Sequence, residues 1–177
     1  IWDTYRHNFP ATKLDTRSIV EVEPDDIPNC DGMIGGPPCQ SWSEAGMLRG
    51  IEDHRGQLFF EYIRLLEAKR PLFFLAENVS GIVFNRHSKA FNNILQMFSD
   101  IGYNVSYHLL NANDFGVPQD RERVIIVGYL AQYGKHFEPP AVPGYGTSDG
   151  FSLRLLDKGS DVDYQEFDKV NTVFVEA

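Results

Sequence analysis

A cysteine follows a stiff turn in the first quarter of the chain. Residues 35–38 are Gly-Gly-Pro-Pro and lead directly into Cys39. The glycines allow a ligand to approach the backbone closely, and the prolines restrict the turn that carries the cysteine. A thiolate is a strong nucleophile where its surroundings lower the pKa of the thiol. We therefore predict that Cys39 is a nucleophile, whereas Cys30 is better interpreted as a structural thiol.

An acid and two arginines are the other candidates for chemistry. Glu77 follows the apolar run 72–76, where a carboxylate can act as a proton donor or, alternatively, as a helix cap or an ion-pair partner of an arginine. Arg121 and Arg123 would point to the same face of a strand, which suits contacts with phosphates or base edges. Taken alone, an Arg-x-Arg pair usually marks a solvated edge.

Strands and helices alternate around these residues. The strand-like runs are 30–36, 72–76, 103–110 and 123–130, and the runs with helical spacing are 58–66 and 91–101. This alternation predicts an α/β fold with a doubly wound sheet, in which ligands bind beyond the carboxyl ends of the strands. The rule places chemistry just after Gly36 and just after Ala76, with 37–56 as a long functional loop. Beyond the Pro- and Gly-rich stretch 139–150, the sequence shows no periodicity from which we predict a helix or a strand.

The composition is that of an ordinary soluble domain. The chain has 177 residues, of which 42% are hydrophobic and 23% charged. Two cysteines make no disulfide framework, and neither a signal peptide, a membrane-length apolar run nor a metal-binding pattern is recognisable, so we expect a cytoplasmic protein. The formal net charge of -9 argues against a free-standing nucleic-acid binder, although a local basic face is compatible with it. Part of this acidity lies in 147–177, with seven acidic residues against three basic ones.

Taken in order, the motifs resemble those of one family, the DNA (cytosine-5) methyltransferases. The matching motifs are Pro38-Cys39-Gln40, Glu77-Asn78-Val79 and Gln119-x-Arg121-x-Arg123, with similar segments at 55–60 and 110–116. The resemblance covers about residues 1–130, and 35–50 are particularly similar to prokaryotic restriction-modification members that recognise GGCC. It implies a Rossmann-like fold that uses S-adenosylmethionine, with a mostly parallel sheet that ends in an antiparallel hairpin and is incomplete at the amino terminus.

The resemblance also implies a mechanism on duplex DNA, and hence a nucleoid-associated protein. Cys39 would add as thiolate to C6 of a cytosine that has left the helix stack, while Glu77 hydrogen-bonds N3 and N4 of the ring. C5 would then take the methyl group of S-adenosylmethionine, and loss of the C5 proton with expulsion of Cys39 would restore the base. Arg123 would contact the cytosine O2, and Arg121 would favour the thiolate.

Cofactor and DNA contacts follow from the same resemblance. Asp15 falls where the family binds the adenine amino group, although Thr16 replaces the usual isoleucine. Pro37 and Leu58 match positions that line the cofactor. The expected DNA contacts, each of which is alternatively a solvated loop residue, are Gln40, Ser41, Ser43, Arg55 and Asn78. Of these, Asn78 is expected to shape its loop more than to react.

Some family features have no counterpart in the sequence. These are the Phe-x-Gly-x-Gly strand that grips the cofactor, the acid that holds its ribose, and the target-recognition domain. We therefore expect a partial catalytic domain at 1–138, followed at 139–177 by a linker and a candidate start of the target-recognition region. We also expect that the chain needs a complementary chain or missing segments to bind cofactor and DNA well.

Three other interpretations stay open. A tRNA cytosine-5 methyltransferase would use the same three motifs, although the amino-acid sequence of residues 35–43 favours a DNA methyltransferase. A non-catalytic subunit would explain the missing cofactor strand, but it has no chemical reason to keep Cys39, Glu77 and Arg123. An unrelated cysteine enzyme would need His54 or His87 as its base, and nothing in the sequence places either beside the cysteine.

Overall fold

The computed structural model describes residues 2–38, 54–84, 88–140 and 172–175, without the side chains of 54–57 and 172–175. The helices are α1 (Trp2–Asn8), α2 (His54–Lys69) and α3 (Ser88–Asp100). The strands are β1 (Gly32–Gly35), β2 (Phe73–Val79), β3 (Tyr103–Asn111), β4 (Glu122–Leu130) and β5 (Thr172–Val175). Among the helices of these segments, none is both long and apolar enough to cross a membrane.

The strands form one mixed sheet in the order β3-β4-β2-β1-β5. β1 pairs in parallel with β2 and β5, whereas β4 pairs antiparallel with β2 and β3. Of the five described strands, β4 is therefore the one that opposes the direction of the others. The predicted α/β fold, with a mostly parallel sheet that ends in an antiparallel hairpin, is confirmed.

Helix α3 forms because its apolar residues recur at helical spacing. Phe91, Ile94 and Phe98 are buried on one side of the helix, which is the pattern expected of a helix that packs on a sheet. Gly102 follows the helix with a φ of +92°, a conformation that glycine adopts without strain. The helix therefore ends where the sequence predicts, and the chain turns directly into β3.

The core lies between the sheet and helices α2 and α3, and Phe74 of β2 is at its centre. The ring of Phe74 stacks on Phe98 with a centroid distance of 4.3 Å and meets Tyr103 edge-on at 5.2 Å. The buried Tyr62 hydroxyl lies 3.2 Å from the Met33 carbonyl oxygen and 3.1 Å from that of Leu75, so it can donate to either strand β1 or β2. Burial raises the pKa of Tyr62, which keeps this donor protonated.

Consecutive phenylalanines of β2 each cover a glycine on a neighbouring strand. Phe73 pairs with Gly32 of β1, and Phe74 pairs with Gly128 of β4. A Cβ added at either glycine would overlap the ring that covers it. The close packing of β2 against both neighbours therefore depends on the absence of a side chain at these two positions.

Among the elements whose bounds differ from the sequence prediction, two lie next to the predicted site residues, and strand β5 was not predicted at all. β2 continues beyond its apolar run to Val79, because β4 offers antiparallel partners up to Arg123, and Glu77 and Asn78 therefore lie within the strand. α2 begins at His54, so the last three residues of the predicted loop 37–56 are helical. Residues 39–53 of that loop lie outside the described parts of the chain.

The replacement Gly128→Ala tests the packing of Phe74. We expect the free energy of unfolding to fall by about 1–3 kcal/mol, because the new methyl group forces a fully buried ring off its position. The measurement is urea denaturation followed by circular dichroism. Gly81→Ala is the matched control, since a Cβ there meets nothing within 4 Å. Equal midpoints for the two variants would show that Phe74 can move without cost.

Candidate active site

Three strand ends meet at one edge of the sheet. β1 leads into Gly36 and Pro37, β2 ends with Glu77 and its two successors, and the antiparallel β4 begins there. The register pairs Gly35 with Ala76 and Val79 with Arg123. The sheet therefore brings candidate residues from distant parts of the sequence to the same place.

An ion pair joins β2 and β4 at this edge. Arg123 Nε lies 2.7 Å from Glu77 Oε1, and the two side chains are 26% and 42% exposed. Because they occupy diagonal positions of an antiparallel pair on one face, the contact follows directly from the register. Arg123 Nη1 also donates to the Glu122 carbonyl oxygen. The alternative role foreseen for Glu77, an ion-pair partner of an arginine, is therefore present.

Gly36 leaves the second oxygen of this carboxylate accessible. A Cβ added at Gly36 would lie 3.7 Å from Glu77 Oε2, and Glu77 atoms are all that it would meet within 4 Å among the described residues. The glycine is exposed, whereas Pro37 beside it is buried. A ligand can therefore approach both the backbone of this turn and the Glu77 carboxylate.

Asn78 ties the turn to the sheet. Its side chain is buried, and its amide nitrogen donates to the Pro37 carbonyl oxygen at 2.9 Å. Its amide oxygen accepts from the backbone nitrogen of Val79. This geometry favours the predicted role in shaping the loop over a direct contact of the Asn78 side chain with DNA.

Arg121 and Arg123 line one open cavity of about 500 Å³. The other lining residues are Ser80, Gln119, Asp120 and Glu122. Arg121 is exposed and directly precedes β4, so it is not itself a strand residue as the sequence had suggested. Both arginines nevertheless line this cavity, which lies at the end of the sheet where β4 begins.

Asn111 forms hydrogen bonds with both ends of the connection 112–121, which leads from β3 to this cavity. Asn111 was not among the functional residues predicted from the sequence. Its side-chain oxygen accepts from the backbone of Asn113 and Arg121, and its amide nitrogen donates to Asp120 at 2.7 Å. The sequence carried one signal for it, the similarity of 110–116 to the family segment.

Asp15 is already bound within the chain. Arg17 Nη2 lies 2.6 Å from Asp15 Oδ2, and Arg17 Nε and its backbone nitrogen also contact the carboxylate at 3.1 Å. These hydrogen bonds lower the pKa of Asp15 to about 2. Arg17 Nη1 lies 2.9 Å from Asp26 as well. Arg17 makes four donor–acceptor contacts with the Asp15 carboxylate, which matches the about four acceptor positions that a carboxylate has.

The described residues fit the implied cofactor unevenly. The open strand end at Gly36 suits a ligand, and Leu58 is half-buried against the core on α2. Thr16 is exposed. An adenine amino group can donate to Asp15 only if Arg17 gives up a contact. In the described parts of the chain, no three His, Cys, Asp or Glu side chains are grouped to hold a metal ion.

Several predicted site residues fall outside the described segments. These are Cys39, Gln40, Ser41 and Ser43, together with the alternative base His87. Arg55 and His54 lie in the first turn of α2, but their side chains are not described. Cys30 is partly buried, and burial raises the pKa of its thiol, which suits the structural role expected for it.

Proteins of similar sequence match most of this chain. The family model of the C-5 cytosine-specific DNA methylases matches residues 1–162. The type II methyltransferase M.NgoPII of Neisseria gonorrhoeae is 55% identical over 155 residues, which cover 87% of this chain and 46% of that protein. M.FnuDI of Fusobacterium nucleatum is 56% identical over 129 residues, which cover 73% and 37%. The chain thus spans about half, or less, of the length of these curated relatives.

Solved structures with the same fold are methyltransferases. A DNA modification methyltransferase encoded within an Escherichia coli prophage matches 77% of this chain and 39% of its own, with a TM-score of 0.60 and 28% identity. A mutant of Spodoptera frugiperda DNMT2 matches 72% and 38%, with a TM-score of 0.57 and 28% identity. The predicted methyltransferase fold is thereby confirmed. Since the family model also matches most of its residues, the chain belongs to the C-5 cytosine-specific DNA methylases.

Proposed function

We propose that this chain is the central catalytic part of a type II DNA methyltransferase that transfers a methyl group to C5 of a cytosine in duplex DNA. The observation that carries this proposal is the Glu77–Arg123 ion pair at 2.7 Å, beside the anchored turn that leads to Cys39. The high identity to named type II methyltransferases supports the same assignment.

The ion pair matches the polar edge of cytosine. That edge offers an amino donor at N4 and acceptors at N3 and O2, so it needs a carboxyl group and a separate donor side by side. Glu77 would bind N3 and N4. Arg123 has five N–H donors and uses Nε for Glu77, so its terminal nitrogens remain suited to O2. The base would therefore meet a pair already held in position.

The anchored turn supports Cys39 as the nucleophile. Asn78 holds the Pro37 carbonyl oxygen beside the β2 residues that carry Glu77. Cys39 follows Pro37 by two residues, and two residues of chain reach at most about 7 Å. Cys39 therefore lies only two residues along the chain from a turn that is bonded to the strand carrying Glu77.

The proposed reaction balances with these groups. The Cys39 thiolate forms a bond to C6, while Glu77 donates a proton to N3, which makes C5 nucleophilic. S-adenosylmethionine, the cofactor of this family, would supply the methyl group to C5, with its sulfur–methyl bond broken and the neutral thioether S-adenosylhomocysteine as the leaving group. The C5 proton is then lost to solvent water, Cys39 leaves as thiolate, and N3 returns its proton to Glu77. Arg121 would favour the thiolate form of Cys39 through its positive charge.

On the cofactor side, Pro37 and Leu58 would line the bound molecule, and Asp15 would accept from the adenine amino group. For that contact, Arg17 would shift toward Asp26, to which Nη1 is already bonded. Gln40, Ser41, Ser43 and Arg55 stay predicted DNA contacts. We also propose GGCC as the site that the whole protein recognises, which protection of DNA from a nuclease that cuts at GGCC tests for the protein with its own reading domain.

Covalent trapping on duplex DNA with 5-fluorocytosine tests the catalytic role. Fluorine cannot leave C5 as a proton does, so with S-adenosylmethionine we expect an adduct that survives denaturation and is absent with Cys39→Ser. Glu77→Gln should slow adduct formation by about 10²-fold or more, because it removes the proton donor. Gels with labelled DNA measure both, for the chain alone and with an amino-terminal segment and reading domain supplied.

Glu61→Gln is the matched control, because Glu61 forms its ion pair with Arg64 of the same helix and not with a residue of the proposed site. It should trap DNA at the rate of the unmodified chain. An adduct that persists in Cys39→Ser would disprove the assigned nucleophile. Trapping of tRNA in place of duplex DNA would favour the RNA alternative, and the absence of any adduct with folded protein would favour the non-catalytic one.

The Asp15–Arg17 contact has a pH signature. We expect Asp15 to titrate near pH 2, and Arg17→Gln to raise its midpoint toward, but not fully to, the ordinary value of about 3.9, because the charged donor is lost while the backbone N–H of residue 17 still donates. Since the pKa is lower in the folded chain, this contact stabilises the fold above about pH 4, and the stabilisation is lost as the pH falls through about 2. Carboxyl carbon NMR measures the midpoint.

Lys13→Gln is the control for this titration. Lys13 lowers the pKa of Asp15 through charge alone and is the weakest of the causes, so its loss should leave the midpoint close to 2. An unchanged midpoint in Arg17→Gln would show that Arg17 does not bind Asp15 in solution.

A further inference from the structure

A ten-residue connection joins β3 to β4, and its last residues line the cavity that contains the two arginines. Residues 112–121 begin with a short 3-10 helix, Ala112–Phe115, which Gly116 closes with a φ of +81°. Most of the following residues are exposed, Arg121 included. A connection of this kind has few buried contacts to fix it, so its polar contacts decide where Arg121 lies.

The side chain of Asn111 supplies three of those contacts, in addition to the backbone hydrogen bond from Ala112 N to the Arg121 carbonyl oxygen at 3.0 Å. Asn111 is the last residue of β3 and pairs with Glu122 of β4. Its Oδ1 accepts from Asn113 N at 3.1 Å and from Arg121 N at 3.2 Å, while its Nδ2 donates to Asp120 Oδ1 at 2.7 Å. One carboxamide therefore holds the start of the 3-10 helix, the backbone of Arg121 and the side chain of Asp120.

These contacts also separate Asp120 from its neighbour Arg121. Both residues line the cavity, and an acid beside an arginine can neutralise it. Asp120 is instead bound to Asn111, and within the described segments the Arg121 side chain forms no ion pair. A carboxamide is suited to this task because it accepts and donates at once, which a carboxylate in its place cannot do.

We propose that Asn111 is a positioning residue for the methyl-transfer reaction, which binds Asp120 and the Arg121 backbone so that the Arg121 guanidinium is presented to the reaction centre. The inference rests on the function proposed above, in which Arg121 favours the Cys39 thiolate. Asn111 itself touches neither substrate nor cofactor and acts through Arg121.

An exchange of the two side chains tests this role. Asn111→Asp loses the donor, sets two carboxylates against each other and frees Asp120 to pair with Arg121, so trapping on 5-fluorocytosine DNA should slow by about tenfold or more. The rate should also rise with pH at a higher midpoint, because less thiolate is present. The double variant Asn111→Asp with Asp120→Asn reverses the hydrogen bond at constant charge and should recover to within about threefold of the unmodified chain.

Asn113→Asp is the matched control, because it adds the same charge to the same connection on a residue whose backbone, not its side chain, bonds to Asn111. It should trap DNA within about threefold of the unmodified rate. A normal rate and pH midpoint in Asn111→Asp would overturn the proposal. So would a double variant that is folded by circular dichroism but as slow as Asn111→Asp.

Hydrogen exchange of the Arg121 amide separates this inference from the proposed function. The amide should be protected in the unmodified chain and in the double variant, both of which keep an acceptor oxygen at position 111, and exposed in Asn111→Ala, which removes that acceptor. If the folded chain traps no DNA even with the amino-terminal segment and reading domain supplied, the proposed function fails, and the exchange pattern still decides whether Asn111 positions Arg121. Equal protection in all three proteins would overturn the inference.

Discussion

The register between β2 and β4 is the constraint on which the candidate site depends. Seven consecutive pairs, from Phe73 with Tyr129 to Val79 with Arg123, join the two strands. Side chains alternate between faces along a strand, so a slip of one residue would send Arg123 to the face opposite Glu77. The same slip would remove Gly128 from beneath Phe74 at the centre of the core. Core packing and site geometry therefore depend on a single alignment.

Much of this arrangement could be predicted from the sequence. The alternation of apolar runs predicted strands β1 to β4 and helices α2 and α3 in order, whereas β5 was not predicted, and the strand-end rule directed attention to Gly36 and to Glu77. The ion pair itself was foreseen only as an alternative for Glu77, because a sequence does not state which residues face each other across a sheet. The extension of β2 to Val79 was missed, because backbone pairing continues where apolar side chains stop.

Other features depend on contacts that have no pattern in the sequence. Arg17 stands two residues from Asp15, yet the resemblance alone assigned that acid to a ligand, and the competing contact within the chain emerged only from the geometry. Asn111 is one polar residue in a similar segment, and its role depends on a turn that brings Asp120 and Arg121 back to it. The spacing of residues in the sequence does not predict such contacts, because they depend on the conformation of the whole connecting segment.

The two phenylalanine–glycine pairs around β2 bear on how this sheet can change over generations. Phe73 and Phe74 face opposite sides of the strand, so each glycine partner is matched to its own ring. A larger residue at Gly128 is tolerable only with a smaller one at Phe74, and the same holds for Gly32 and Phe73. Either order of replacement passes through an ancestor with an overlap or a void. Descendants should therefore inherit each pair as a unit, and drift at one position without the other should be rare.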